Sequence, residues 1–137
     1  MKKMLLAASV LSVMLASIVW ALDEKQVSQK MKSAGDHMGG LRKAMGAKDM
    51  AAVSTHAKGI ADAMGGGVDE FWKGMGLAKA AEWQVASHKA ASELAAAASS
   101  NNADGVRSAM GALGGTCKQC HEAHREKLAD GTYKIKK

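Results

Sequence analysis

The residues of this chain best suited to bind a metal or a metal-containing group lie in one short stretch, TCKQCH, at residues 116–121. The stretch holds both cysteines of the chain, Cys117 and Cys120, and His121 follows the second one directly. Thiolates and imidazoles are strong ligands for transition metals, and thiolates are also nucleophiles. Two thiols and an imidazole within five residues therefore predict a site that holds such a group.

Four kinds of site compete for this motif. A structural zinc site needs two more soft ligands at similar spacing, and the chain has no other cysteine. A thioredoxin-like redox pair opens a helix after a strand, whereas no strand is predicted here. A disulfide across two residues would close too small a loop to stabilise the fold much. The pattern C-x-x-C-H instead favours covalent haem attachment through Cys117 and Cys120, with His121 as the proximal iron ligand.

The first residues have the pattern of an export signal. A basic start is followed by an uncharged run over residues 4–21, which ends in Val19-Trp20-Ala21. This order is typical of a secretory signal peptide. We predict a signal peptide at residues 1–21, and a single periplasmic domain at residues 22–137. An uncleaved anchor is the alternative, because a run of this length just suffices to span a bilayer.

The charge of the exported part argues against a nucleic-acid partner. Without Lys2 and Lys3, 17 basic residues remain against 13 acidic ones, a net charge of +4. The charge is spread along the chain and forms no block of the kind that follows a phosphate backbone.

The periodicity of the sequence predicts an all-α fold. Proline is absent, alanine is abundant and no segment alternates with the period of a strand. Four helices are predicted: a seam from Val27 to Met45, a helix capped by Asp49 that ends near Met64, one from Leu77 to about Ser99, and one capped by Asp104 that ends near Asp130-Gly131. Residues 68–76 would connect the second to the third. Short links between helices predict an antiparallel four-helix bundle.

The predicted core is poor in large side chains. The seam of the third helix consists largely of alanines around two larger residues: Trp83, Ala86, Ala90, Leu94 and Ala97. Such stripes bury little apolar area, and a large flat apolar group in the middle of the bundle would compensate for the shortage.

An exported helical bundle with its haem motif near the C-terminus resembles the class II c-type cytochromes, the cytochrome c-prime family with its low-spin relatives. Residues 105–121 resemble the last helix of that family, and Asp69-Glu-Phe-Trp72 resembles its Pro-Glu-x-Trp segment. Arg125 matches an arginine four residues after the motif histidine, while His124 replaces an aromatic residue. The resemblance implies one covalently attached haem c, with Arg125 at the haem side.

The first helix bears on the sixth iron ligand. Residues 31–36, MKSAGD, are similar to the opening of the low-spin members, and this similarity implies that Met31 is the distal ligand. High-spin members also accept methionine there and leave the sixth position empty, and Val27 departs from the arginine usual in low-spin members. Met31, Met38 and Met45 are spaced seven apart, which is equally typical of core packing.

Two functions follow from these alternatives. With Met31 as ligand, we expect a carrier of single electrons between periplasmic redox proteins, docked through lysines such as Lys118 and Lys127. With an empty sixth position, we expect a five-coordinate protein that binds NO or CO. No acid–base pair is found near Met31, so we do not expect an enzyme. The family resemblance also allows a homodimer formed through the first two helices.

The remaining histidines are expected to have no part in iron binding. His37 and His56 are interpreted as polar helix faces, and His88 as a solvated or hydrogen-bonded side chain.

Overall fold

The computed structural model describes residues 21–137, so the predicted signal peptide lies outside the described residues except for Ala21. Its elements are α1 (Glu24–Gly46), α2 (Met50–Met64), α3 (Val68–Gly74), α4 (Ala78–Ser99), α5 (Ala103–His124), β1 (Arg125–Lys127) and β2 (Tyr133–Ile135). None of the described helices is both long enough and apolar enough to cross a membrane.

The four long helices form the predicted bundle. α1 packs on α2, α2 on α4, and α4 on α5, while the short α3 packs on α4. Loops of three residues, 47–49 and 100–102, join α1 to α2 and α4 to α5, so the helices of each pair run antiparallel. Backbone contact between α1 and α5 is sparse by comparison. The prediction of an all-α four-helix bundle is confirmed.

Of the two predicted N-terminal helix caps, Asp49 and Asp104, the structure confirms the first. The Asp49 side chain accepts a hydrogen bond from the backbone N–H of Ala52 at 2.9 Å, and glycine follows α2 at residue 65. The predicted cap of the last helix, Asp104, is wrong. Asn102 caps α5 by accepting from the N–H of Gly105 at 2.9 Å, and Asp104 lies in the first turn.

Two clusters of buried side chains hold the bundle together. The first cluster joins α1, α2, α4 and α5, and its large fully buried members are Leu41, Val53, Ile60, Leu94 and Leu113. The second cluster lies around α3 and consists of Val27, Val68, Trp72, Ala80 and Ala81. Alanine supplies eleven of the 21 buried hydrophobic residues, which agrees with the predicted shortage of large side chains.

The predicted connection at residues 68–76 contains a helix, α3. Val68 and Trp72 are one turn apart and both are buried in the second cluster, which explains why this segment becomes helical. Glycines with positive φ bracket it, Gly67 at 87° and Gly76 at 76°.

The buried face of α4 differs from the predicted stripe. Trp83, Ala86 and Ala97 are only half-buried, whereas the polar Gln84 and Ser87 are buried. Gln84 accepts a hydrogen bond from Trp72 Nε1 at 3.3 Å and donates one to the Met64 carbonyl at 2.8 Å, so its amide is satisfied inside the protein.

The last helix ends earlier than predicted, at His124, and a short antiparallel hairpin follows it. Arg125 pairs with Ile135, and Gly131 turns the chain at φ 85°. The backbone N–H of Lys136 donates to the His124 carbonyl at 2.8 Å, which ties β2 to the end of α5. Ile135 also packs against the second cluster, so apolar contact favours the hairpin over further helix.

Candidate functional site

The rotation of α5 about its own axis sets where the TCKQCH motif points. Thr116 and Ser87 of α4 share a hydrogen bond between their hydroxyls at 2.8 Å, so this edge of α5 is held against α4. The buried residues of α5 are Val106, Ala109 and Leu113. Helical spacing places a second edge on the side of these residues opposite Thr116, and this edge is formed by Met110, Gly114, Cys117 and His121. Within the motif, Thr116 therefore lies against α4, while His121 lies on the opposite side of the buried residues.

Met31 lies in the apolar region that both cysteines border. Cys117 packs against the first cluster and Cys120 against the second. Met31 packs against both clusters, whereas Met38 packs against the first one. Met31 and the two thiols, which are far apart in the sequence, thus border the same two clusters.

The two cysteine thiols are held in their neutral form. Burial raises the pKa of the Cys117 thiol, and a hydrogen bond with Ser87 partly offsets that rise. Burial also raises the pKa of Cys120, and the neighbouring Cys117 adds to the effect. Both side chains are half-buried and neither forms a disulfide in the structure. They are therefore protonated thiols at neutral pH.

The His121 imidazole is held in the form that binds metals. Burial lowers the pKa of His121 below its ordinary value of 6.5, and the positive charge of Arg125 lowers it further. A neutral imidazole has a lone pair available for iron, whereas an imidazolium does not.

The hairpin holds Arg125 and His124. The Arg125 guanidinium lies over the Tyr133 ring, with its carbon 4.3 Å from the ring centroid. Nδ1 of His124 lies 3.0 Å from the Lys136 carbonyl, and the His124 ring lies 6.0 Å from that of Trp83. The alternation in residues 133–135 and the turn at Asp130-Gly131 are the sequence signals that could have predicted this hairpin.

The other histidines lie apart from the motif. Nδ1 of the exposed His88 is 2.9 Å from the carbonyl of Ala61 in α2, as expected for a hydrogen-bonded side chain. The interpretation of His37 and His56 as separate polar faces is wrong. The two rings are half-buried and face each other between α1 and α2, and a His-x-x-Gly pattern in both helices is the signal that could have shown it.

The residues present fit a c-type haem. Two neutral thiols, a neutral imidazole and a thioether are the donors that such a group uses, and here the two thiols and the Met31 thioether border the two apolar clusters. A side chain added at Gly114 would meet no atom within 4 Å, so α5 leaves room beside Cys117 and His121 for a flat group.

Comparison with known proteins decides the family. The family profile described as Cytochrome C' matches residues 66–125, which include the whole motif and Arg125. Cytochrome c' of Pararhodospirillum photometricum is 37% identical over 114 residues, covering 72% of this chain and 91% of that protein. The chain belongs to the cytochrome c' family. No solved structure matches it significantly.

Membership of the family confirms the resemblance to class II c-type cytochromes. It also identifies the cofactor of the protein. Proteins of the cytochrome c' family bind a covalently attached haem c, so this cytochrome c' is a monohaem c-type cytochrome. The family generally consists of haem-binding carrier or binding proteins that are typically periplasmic and often dimeric. Met31 lies outside the matched segment, so the family profile bears on the proximal side of the site alone.

Proposed function

We propose that this member of the cytochrome c' family carries single electrons between periplasmic redox proteins. Cys117 and Cys120 form the thioether links, His121 is the proximal iron ligand and Met31 the distal one. Residues 1–21 serve as the signal peptide, and residues 22–137 form the exported haem domain.

The observation that carries the proposal is the position of Met31 between the two clusters. Each cysteine borders one cluster, so a group attached to both thiols extends across the boundary that Met31 occupies. Met38 lies seven residues further along α1, roughly 10 Å away, and borders the first cluster. Met31 is therefore the methionine of α1 best placed to act as the sixth ligand.

Each side chain has a definite role in this function. The bound haem c supplies one-electron redox chemistry. The neutral His121 imidazole would hold the iron through its lone pair, and the soft Met31 sulfur would be the second protein ligand and would exclude water. Methionine ligation together with apolar surroundings favours the reduced state and raises the potential. If both His121 and Met31 hold the iron, no position would remain for a substrate, and electron transfer would be the available reaction.

Exposed lysines near the motif fit the docking of a redox partner. Lys118 and Lys127 are both exposed, and Lys118 lies 3.7 Å from Glu122 in an ion pair that solvent screens. The positive charges of such side chains steer an acidic protein towards the motif. Because the contact is weak, the partner also dissociates readily, as electron transfer between successive partners requires.

One observation favours a second candidate, a five-coordinate protein that binds NO or CO. Met31 is half-buried, and a side chain added at Gly35 of α1 would meet no atom within 4 Å, so Met31 has room to move aside. The family includes members that bind NO or CO.

Absorption spectra of the holoprotein distinguish the two candidates. For electron transfer, we expect a low-spin reduced spectrum, a weak far-red methionine-to-iron band in the oxidised form, and no change on addition of CO. The variant Met31→Ala should lose the far-red band and bind CO, because the sixth position then opens.

Met38→Ala is the matched control, since it shortens a methionine of the same helix that borders the first cluster. It should keep both the band and the indifference to CO. A high-spin wild-type spectrum that sharpens with CO would contradict methionine ligation and establish the second candidate.

A further inference from the structure

We propose that His37 and His56 form a second metal site, separate from the haem motif, which binds a divalent transition metal such as Zn²⁺ and links α1 to α2. Neither histidine has a part in the proposed haem site, and neither lies in the segment that the family profile matches.

The two imidazoles are already at a chelating distance. Nδ1 of His37 lies 3.2 Å from Nδ1 of His56, and the ring planes are inclined by 59°. In a tetrahedral zinc site with Zn–N bonds of about 2.0–2.1 Å, two ligand nitrogens lie about 3.3–3.4 Å apart. A shift of a few tenths of an ångström would let both nitrogens bind one ion.

Each ring is seated on a glycine of the opposite helix. A Cβ added at Gly40 of α1 would overlap the His56 ring, and one added at Gly59 of α2 would overlap the His37 ring. Because α1 and α2 are antiparallel, the His-x-x-Gly pattern in both brings each glycine beneath the other helix's histidine. The fold therefore holds the two rings in facing positions.

The pair lies on a different face of α1 from Met31. Six residues separate Met31 from His37, which places their side chains about 120° apart around the helix. His37 belongs to the face that packs on α2, where Lys30 also bonds to the carbonyl of Asp62 at 3.4 Å. An ion at the histidine pair would not compete with the haem for ligands.

The chemistry of the pair indicates an exchangeable ion. Imidazole nitrogen is a good ligand for Zn²⁺, Cu²⁺ and Ni²⁺. Both rings are half-buried, so an ion can reach them from solvent. Within residues 21–137 no group of three or more His, Cys, Asp or Glu residues gathers as a metal site, so water would complete the shell. In the absence of metal, one ring would donate a hydrogen bond to the other.

Titration with Zn²⁺ tests the proposal by calorimetry, on the haem-containing holoprotein from which exchangeable metal ions have been removed. We expect one ion per chain, and an affinity at least about tenfold lower in His37→Gln and in His56→Gln, because loss of even an outer-shell partner of a metal costs that much. His88→Gln, at the exposed histidine, should bind as the wild type does. An unchanged haem spectrum and helical content would show that the variants fold.

A second pair of variants tests the site without removing a ligand. Gly40→Ala displaces the His56 ring and should weaken Zn²⁺ binding, whereas Gly39→Ala points into open space and should not. The proposal is overturned if the wild type binds no Zn²⁺, or if both histidine variants retain its affinity. Half an ion per chain with dimer formation would also overturn it, because the ligands would then come from two copies.

Discussion

At the scale of single residues, the proton affinity of His121 governs when this side chain can act as a ligand. Burial and the charge of Arg125 both lower its pKa below 6.5, so the folded protein favours the neutral imidazole. The contribution of this group to stability is therefore full above the ordinary pKa and is lost as the pH falls below it. Arg125 lies outside the buried clusters, so its charge can be removed with little disturbance of the core.

Arg125→Gln should move the acid transition of the holoprotein to higher pH. Removal of the neighbouring positive charge raises the pKa of His121, and protons then compete with iron for the imidazole at a higher pH. The midpoint is measured from the haem absorption during acid titration. Arg107→Gln removes an exposed arginine of α5 that pairs with Asp104 at 3.5 Å and should leave the midpoint unchanged. An equal midpoint in Arg125→Gln and the wild type would contradict this role for Arg125.

At the scale of elements, the two edges of α5 have different neighbours. Thr116 holds one edge against Ser87 of α4, while Gly114 lies on the edge that carries Cys117 and His121. Gly111 lies outside this edge, and a side chain added at either glycine would meet no protein atom within 4 Å. Any difference between substitutions at these two positions therefore reports what packs beside the motif.

Gly114→Leu should hinder haem packing, whereas Gly111→Leu should not. Both substitutions improve helix propensity by about 1 kcal/mol. A leucine at residue 114, however, would occupy space beside the thioether links. We expect the free energy of unfolding of the Gly114→Leu holoprotein to be lower than that of the wild type by about 1–3 kcal/mol, as for an overpacked core. Denaturant unfolding followed by circular dichroism measures the loss. Equal stability of the two variants would place the haem elsewhere.

At the scale of the whole molecule, stability depends on a small set of buried side chains. Only a few large residues are fully buried, and much of the remaining core is alanine. The ion pairs of the described residues lie at the surface, where solvent screens them, so they contribute little. We therefore expect the haem to supply a large share of the apolar packing of the bundle.

Replacement of both motif cysteines, Cys117→Ser with Cys120→Ser, should yield a markedly less stable protein. Without the thioether links the chain would retain haem poorly, and it would lose the apolar contacts between the haem and the protein core. We expect the melting temperature to fall by more than about 10 °C, which corresponds to about 3 kcal/mol for a chain of this size. Thermal unfolding followed by far-UV circular dichroism measures it. A melting temperature equal to that of the holoprotein would show that the protein core suffices.

Much of the fold and the proximal half of the site could be predicted from the sequence because both depend on local spacing. The seam from Val27 to Met45 predicts a helix by periodicity, and Cys117, Cys120 and His121 form one continuous motif. The hairpin after His124 was missed, because contacts of Ile135 with distant residues outweigh the local tendency to extend the helix.

Periodicity does not distinguish Met31 from Met38, because both continue the same heptad spacing. The resemblance of residues 31–36 singles out Met31, and only the tertiary structure shows that Met31 borders both clusters. The same holds for His37 and His56. Sequence places each on its own helix, and the approach of α1 to α2 at Gly40 and Gly59 makes them a pair. Short-range periodicity thus determined the helices and the attachment motif. Contacts between distant segments decided which side chains meet, because they depend on how each helix is rotated against its neighbours.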